Sequence, residues 1–134
     1  MFEVSILKMG SNIIVPIQVE LHDRAAQKVQ DDILSKVEEE GSSGLIIDIS
    51  AVSIVDSFLG RLLSDTSRMA RLLGAETVLV GMKKEVAITL IQLGMVFRNL
   101  HTAMNIEDGL ELVEKLKTES VQTEANMPET GMIE

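Results

Sequence analysis

Apolar residues along this chain recur with two different periods, and the change from one to the other is sharpest in residues 44–73, GLIIDISAVSIVDSFLGRLLSDTSRMARLL. Leu45-Ile46-Ile47-Asp48-Ile49 is a nearly continuous apolar run with β-branched residues, bounded by Gly44 and Ser50. Such a run predicts a short strand buried on both faces. From there on the apolar positions are Phe58, Leu59, Leu62, Leu63, Met69, Ala70 and Leu73. Spacings of three and four make these one stripe of a helix, with Arg61, Ser64, Asp65 and Arg68 largely off it. Asp56 and Ser57 stand where the helical period begins. Short oxygen-bearing side chains there accept hydrogen bonds from the unpaired N–H groups of the first turn, so either residue can cap the helix.

The rest of the chain supplies the partners of this strand and helix. Phe2, Val4 and Ile6 alternate with Glu3 and Ser5 as in a half-buried strand, and Met9-Gly10-Ser11-Asn12 supplies a turn before the apolar run of residues 13–19. A β-hairpin is expected, with Pro16 favouring an edge or a bulge over a central strand because it cannot donate to a ladder. Ala25, Ala26, Val29, Ile33 and Val37 make an amphipathic helix over residues 23–40, which Asp23 can cap and Gly41 can end. Residues 77–82, TVLVGM, read as a second buried strand, and the helix before it predicts a right-handed crossover between parallel neighbours. Val86, Leu90 and Leu93 stripe a helix over residues 85–93, which Gly94 ends. Met95, Val96 and Phe97 then read as a loop folding back on the core. Residues 100–104 suit a short last strand, and Asn105 with Glu107 and Asp108 opens a final helix striped by Leu110, Val113 and Leu116.

These elements predict one α/β domain over residues 1–117, a mixed four- or five-stranded sheet packed against about four helices. The expected core includes Ile46, Ile47, Leu62, Leu63, Val78, Val80, Leu90 and Val113. Residues 118–134 carry four glutamates, few apolar groups and no basic residue. A segment of that kind buries too little surface to offset its ordering cost, so a disordered acidic tail is expected.

Composition narrows the function. Twelve basic against 21 acidic residues give a formal charge of −9, and the only aromatic residues are three phenylalanines. The charge opposes binding to phosphate backbones and anionic lipid, and there is no aromatic platform for stacking bases, so neither nucleic acid nor membrane is an expected partner. No cysteine is present, which removes disulfides, thiolate metal sites and cysteine nucleophiles. Residues 1–5 show no basic segment followed by an apolar run, and no apolar stretch approaches the roughly 18 residues of a membrane span. The expected location is the cytoplasm.

Catalytic chemistry finds little support. His22 and His101 lie in different elements without a second ligand at helical spacing, so no metal site is expected. No glycine-rich phosphate loop follows a strand, and the region of Ser57 lacks the spacing of a nucleophile elbow. No cofactor is expected, and the protein is read as a non-enzyme. The run Glu38-Glu39-Glu40 reads as a solvated helix end, since consecutive positions do not share one face. Asp48, an acid at the end of an apolar strand, reads as an acceptor for the backbone N–H groups of residues 50–53, supporting the turn that carries Ser57.

A more specific reading comes from resemblance. The strand, the loop, Val55-Asp56-Ser57-Phe58-Leu59-Gly60 and the amphipathic helix ending at Gly74 resemble the STAS domain of bacterial anti-sigma factor antagonists, and the likeness extends from about Phe2 to Leu116. Asp48-Ile49-Ser50, Val55-Asp56-Ser57-Phe58 and Arg71-Leu72-Leu73-Gly74 most resemble the stressosome subunits of that family. The resemblance implies that Ser57 is the acceptor for a switch serine kinase, and that the unphosphorylated protein sequesters this kinase through Asp56, Ser57, Arg61, Ser64 and Asp65. It implies release on phosphorylation and resetting by a phosphatase. Self-association and assembly with STAS-domain paralogues complete the expected regulatory role in a stress-response sigma-factor pathway. Leu21-His22-Asp23-Arg24 offers no hydroxyl where paralogues carry a second acceptor, so a single acceptor is implied. The rival readings are a soluble antagonist that binds an anti-sigma kinase directly, a constitutive scaffold in which Ser57 is only a cap, and a small enzyme or ligand-binding domain.

Overall fold

The computed structural model describes residues 5–17, 23–94 and 100–126. Its elements are β1 (Leu7–Met9), β2 (Asn12–Pro16), α1 (Asp23–Glu40), β3 (Gly44–Asp48), α2 (Ser57–Leu72), β4 (Glu76–Val80), α3 (Lys84–Gln92), β5 (His101–Ala103) and α4 (Ile106–Asn126). They form one five-stranded sheet in the order β1-β2-β3-β4-β5. Only the β1/β2 pair is antiparallel. The helices joining the parallel strands cross one face of the sheet and α4 covers the other, which explains why the central strands are apolar on both faces through their middles, Ile13–Val15, Leu45–Ile47 and Val78–Val80.

The alternation of side chains divides the core in two. Ile13, Val15, Leu45, Ile47 and Leu79 point to the face covered by α1, α2 and α3. Ile14, Ile46, Val78 and Val80 point to the other face, where Val113 of α4 packs. All eight residues expected in the core are buried. Gly109 lets α4 approach closely, since a Cβ there would lie 2.7 Å from Val80 Cγ1. About midway along its length α4 is pinned to the β1–β2 turn: Lys117 Nζ donates to Asn12 Oδ1 at 2.7 Å and to Ser11 Oγ at 3.1 Å.

Several boundaries differ from the sequence expectation. The first strand is Leu7–Met9 rather than the alternating Phe2, Val4 and Ile6, of which Phe2 and Val4 lie outside the described residues. The hairpin lies at one side of the sheet, yet the strand that carries Pro16 is internal. Ile17 N–H donates to Asp48 O of β3 at 2.9 Å, so by alternation the Pro16 nitrogen faces β1. The pairing with β1 ends at Leu7↔Ile14, and the missing donor therefore has no ladder to break. In α2 the buried positions include Thr66 and Ser67, while Met69 and Leu73 of the expected stripe are about two-fifths exposed. Both hydroxyls are satisfied: Thr66 Oγ1 donates to Leu62 O at 2.7 Å and Ser67 Oγ to Ser64 O at 2.8 Å. Beyond Lys117 the backbone remains helical to Asn126, through part of the segment expected to be a disordered tail. Helix propagation from a docked first half adds a hydrogen bond per residue without a new nucleus, and no Gly or Pro interrupts it before Pro128. Residues 95–97 and His22 lie outside the described residues. Among the described residues no helix is long and apolar enough to cross a membrane.

Candidate functional site at the start of α2

The chain leaves β3 at Asp48 and reaches α2 at Ser57 through a loop held at both ends. Ile49 N–H donates to Val80 O at 3.0 Å, Val52 N–H to Ile49 O at 3.0 Å, and Ser50 N–H to Asp48 Oδ1 at 2.9 Å. The Asp48 contact is the loop support that its position predicts. Val52 and Val55 are buried, so the loop is anchored by its own valines while Ser53 and Ile54 face solvent. Gly81, at φ 77°, passes so close beneath that a Cβ would stand 2.7 Å from Ser50 Cβ, a position only glycine fills without strain.

The helix start decides which residue caps. Asp56 has extended backbone angles, φ −116° and ψ 179°, and its Oδ1 accepts from Leu59 N–H at 2.8 Å. Its carbonyl accepts from Gly60 N–H at 3.0 Å, the first intrahelical bond. Asp56 is therefore the N-cap and Ser57 the first helical residue. Ser57 is exposed, and its hydroxyl takes part in no hydrogen bond among the described residues. The sequence could not separate the two candidate caps, because both residue types suit the position and only backbone angles distinguish the half-in residue from the first full one.

Ser57, Arg61, Ser64 and Asp65 follow at intervals of four, three and one, which places them on one side of α2. Arg61 is exposed and forms no ion pair among the described residues, whereas Asp65 is half-buried and paired with Arg68. Ser64 is half-buried, with its carbonyl accepting from Ser67. Ser57, Arg61, Ser64 and Asp65 thus share one side, but of the expected partner-binding residues only Ser57 and Arg61 are both exposed and unengaged among the described residues, the Asp56 carboxylate being held in its cap bond. Sequence reasoning did not find Ile54, which is 69% exposed three residues before Ser57. It also missed the contact that fixes α2 on α1, where Gln30 Nε2 donates to Thr66 Oγ1 at 2.9 Å with both residues buried. Polar residues at core-facing positions of both helices were the available signal, since such groups are buried only with a partner.

A cavity of about 460 Å3 opens beside the loop, at the carboxyl ends of β3 and β4, lined by Asp48, Ser50, Gly81, Met104 and Glu107 among others. Two carboxylates in its wall make it unsuited to an anionic ligand. No group of three or more His, Cys, Asp or Glu side chains that could hold a metal occurs among the described residues. His101 lies in β5, which β4 separates from β3, the strand that leads to Ser57. Strand spacing alone puts two such strands roughly 10 Å apart.

Comparison with known proteins places this geometry. The STAS domain matches residues 4–109. A serine-to-glutamate variant of RsbS from Moorella thermoacetica has a TM-score of 0.76 at 38% identity, with 87% of this chain and 99% of that chain covered. A chain from the molecular architecture of the stressosome, described as a signal integration and transduction hub, has a TM-score of 0.73 at 40% identity, covering 84% of this chain and 97% of that one. The RsbT co-antagonist protein RsbRA of Bacillus subtilis (strain 168) is 26% identical over 98 residues, 73% of this chain. This chain spans only 36% of the length of RsbRA and 35% of RsbRD from the same organism. With the match running through most of its length, the chain belongs to the STAS domain family.

Proposed function

We propose that this protein is a regulatory subunit of a stressosome, similar to RsbS, which holds an RsbT-like switch serine kinase and releases it when Ser57 is phosphorylated. The observation that carries the reading is the exposed, unengaged hydroxyl of Ser57 on the first turn of α2, in a chain 38% identical to RsbS over nearly all of that protein. Because Asp56 already caps the helix, Ser57 has no structural task to explain its presence, which weakens the reading as a constitutive scaffold. Likeness to RsbR co-antagonists, whose names tie them to RsbT, supports assembly with STAS paralogues over a free-standing antagonist. The role is regulatory rather than catalytic, in the cytoplasm, with a phosphatase resetting Ser57.

The magnitudes favour a switch that acts on the interface and leaves the fold alone. A phosphoserine adds about −1.5 to −2 charges. The helix dipole and free first-turn N–H groups favour that charge by roughly 0.3–2 kcal/mol. Asp56 repels it by an amount of similar order, and Arg61, one turn along the same face, attracts it. A partner surface built around a neutral serine, by contrast, would bury an unpaired dianion at a cost of several kcal/mol. About 1.4–4 kcal/mol already weakens binding ten- to thousandfold.

Intact-mass analysis of the protein after incubation with ATP and the cognate kinase tests the reading directly. One added phosphate is expected, absent from Ser57→Ala. Labelling that persists in Ser57→Ala would move the switch to Ser53 or another hydroxyl. Charge reversal at Arg61 should weaken kinase binding with the fold intact, and unaltered affinity would place the interface elsewhere.

A further inference from the structure

The cavity of about 460 Å3 beside the loop takes no part in the switch proposed at Ser57, yet its wall has a definite chemistry. Cavities of that size hold small ligands. Separate pieces of chain meet to build it: Asp48 and Ser50 at the exit of β3, Gly81 at the exit of β4, and Met104, Ile106 and Glu107 at the entry to α4. A side chain at Gly81 would stand 2.7 Å from Ser50 Cβ and 3.2 Å from Asp48 Oδ1, so glycine keeps this part of the wall open. Among the described residues, none that lines the cavity is basic.

The polar groups of the wall are acceptors with capacity to spare. Asp48 Oδ1 takes Ser50 N–H at 2.9 Å, while Asp48 Oδ2, the Ser50 hydroxyl and the Glu107 carboxylate form no hydrogen bond or ion pair among the described residues. The start of α4 would otherwise draw an anion, but Asn105 Oδ1 already caps it, accepting from Asp108 N–H at 2.8 Å, and Glu107 and Asp108 occupy its first turn. An ammonium group offers three donors and no acceptor, the complement of two carboxylates and a hydroxyl oxygen. Two carboxylates fall short of the ligand set of a divalent metal. Met104, 84% exposed, and the half-buried Ile106 add apolar surface for a short alkyl chain. We propose that this cavity binds a small primary alkylammonium ion, with its nitrogen between Asp48 and Glu107 and its chain against Met104 and Ile106. The site goes beyond the function proposed above and does not rest on it. Asp48 links the two, since the same carboxylate holds the loop that leads to Ser57.

Titration of the nitrogen-15-labelled full chain with n-pentylammonium chloride at constant ionic strength, followed by amide chemical shifts, tests this. Saturable shifts are expected at Ser50, Gly81, Asn105 and Glu107, and none at Glu38 and Glu39, whose exposed carboxylates line no part of the cavity. 1-Pentanol has the same chain without the charge, and tetramethylammonium has the charge without N–H donors. Each should bind about tenfold more weakly or worse, the loss that charge-assisted hydrogen bonds are worth. Glu107→Gln should weaken n-pentylammonium by about the same factor with an unchanged melt, because the position is exposed. Asp48→Asn should weaken it likewise while keeping an oxygen for Ser50 N–H. Equal binding of 1-pentanol would reduce the cavity to an apolar crevice, and equal shifts at Glu38 and Glu39 would reduce the effect to attraction by the net charge of −9. Either result would overturn the site, as would the absence of saturable shifts or an unaltered affinity in Glu107→Gln. None of these outcomes depends on phosphate at Ser57, so failure of the site and failure of the switch are read separately.

Discussion

The hydroxyl of Ser57 and the carboxylate of Asp56 are neighbours in sequence with different tasks, and their substitution should separate them. Asp56→Ala removes the acceptor of Leu59 N–H and should cost about 0.5–2 kcal/mol in urea unfolding. Ser57→Ala removes an exposed hydroxyl without a described partner and should stay within about 0.5 kcal/mol of the wild type. A loss at Ser57→Ala as large as at Asp56→Ala would give the cap to the hydroxyl after all. Thr66 is the contrasting case, a hydroxyl buried against Gln30. Thr66→Val keeps the shape but leaves the Gln30 amide without its acceptor, and should destabilise by about 1–3 kcal/mol.

Among the elements, α2 and α4 hold the two faces of the sheet by different means. Leu62 of α2 is buried in the larger core, and Leu62→Ala should cost roughly 2–5 kcal/mol; a loss below about 0.5 would mean that the helix faces the other way. α4 packs on the smaller core and is also fastened by polar contacts at Glu114 and Lys117. Lys117 donates to Glu114 at 2.9 Å and Asn12 to the same carboxylate at 3.3 Å, and both hold Glu114 below the usual carboxylate range. A carboxylate with a lowered folded-state pKa contributes stability that is present at neutral pH and lost as pH falls through that folded value. The Lys117→Met variant should accordingly lose less of its melting temperature than the wild type when acidified below the ordinary carboxylate range. The difference should be small, because Glu114 is exposed and screened by solvent.

For the whole molecule, the separation of core, switch and tail predicts that each can be altered alone. Ser57→Asp should melt close to the wild type while losing kinase binding, and unfolding of that variant would show that the charge acts on the fold. Deletion of residues 118–134 should leave the melting temperature nearly unchanged, since among the described side chains the last contact that pins α4 is that of Lys117, and Thr118 Oγ1 only returns to Glu114 O. A clear drop would show that the last turns of α4 contribute to the core.

The fold was legible because its signals are local. An unbroken apolar run at residues 45–49 demands two covered faces, and a spacing of three and four demands a helix, whatever lies elsewhere in the chain. The support of the loop by Asp48 was legible for the same reason, since donor and acceptor are two residues apart. What the sequence by itself determined is therefore the order and type of the elements, most of the core and the position of Ser57 at a helix start. Only the tertiary structure decided that Pro16 lies in an internal strand, harmless because β1 is too short to reach it. It also decided that Thr66 and Ser67 are buried while Met69 and Leu73 are exposed, and that α4 covers the face opposite α2. These outcomes depend on which distant segment lies beside each residue, and a residue's own periodicity carries no record of its neighbour across the sheet.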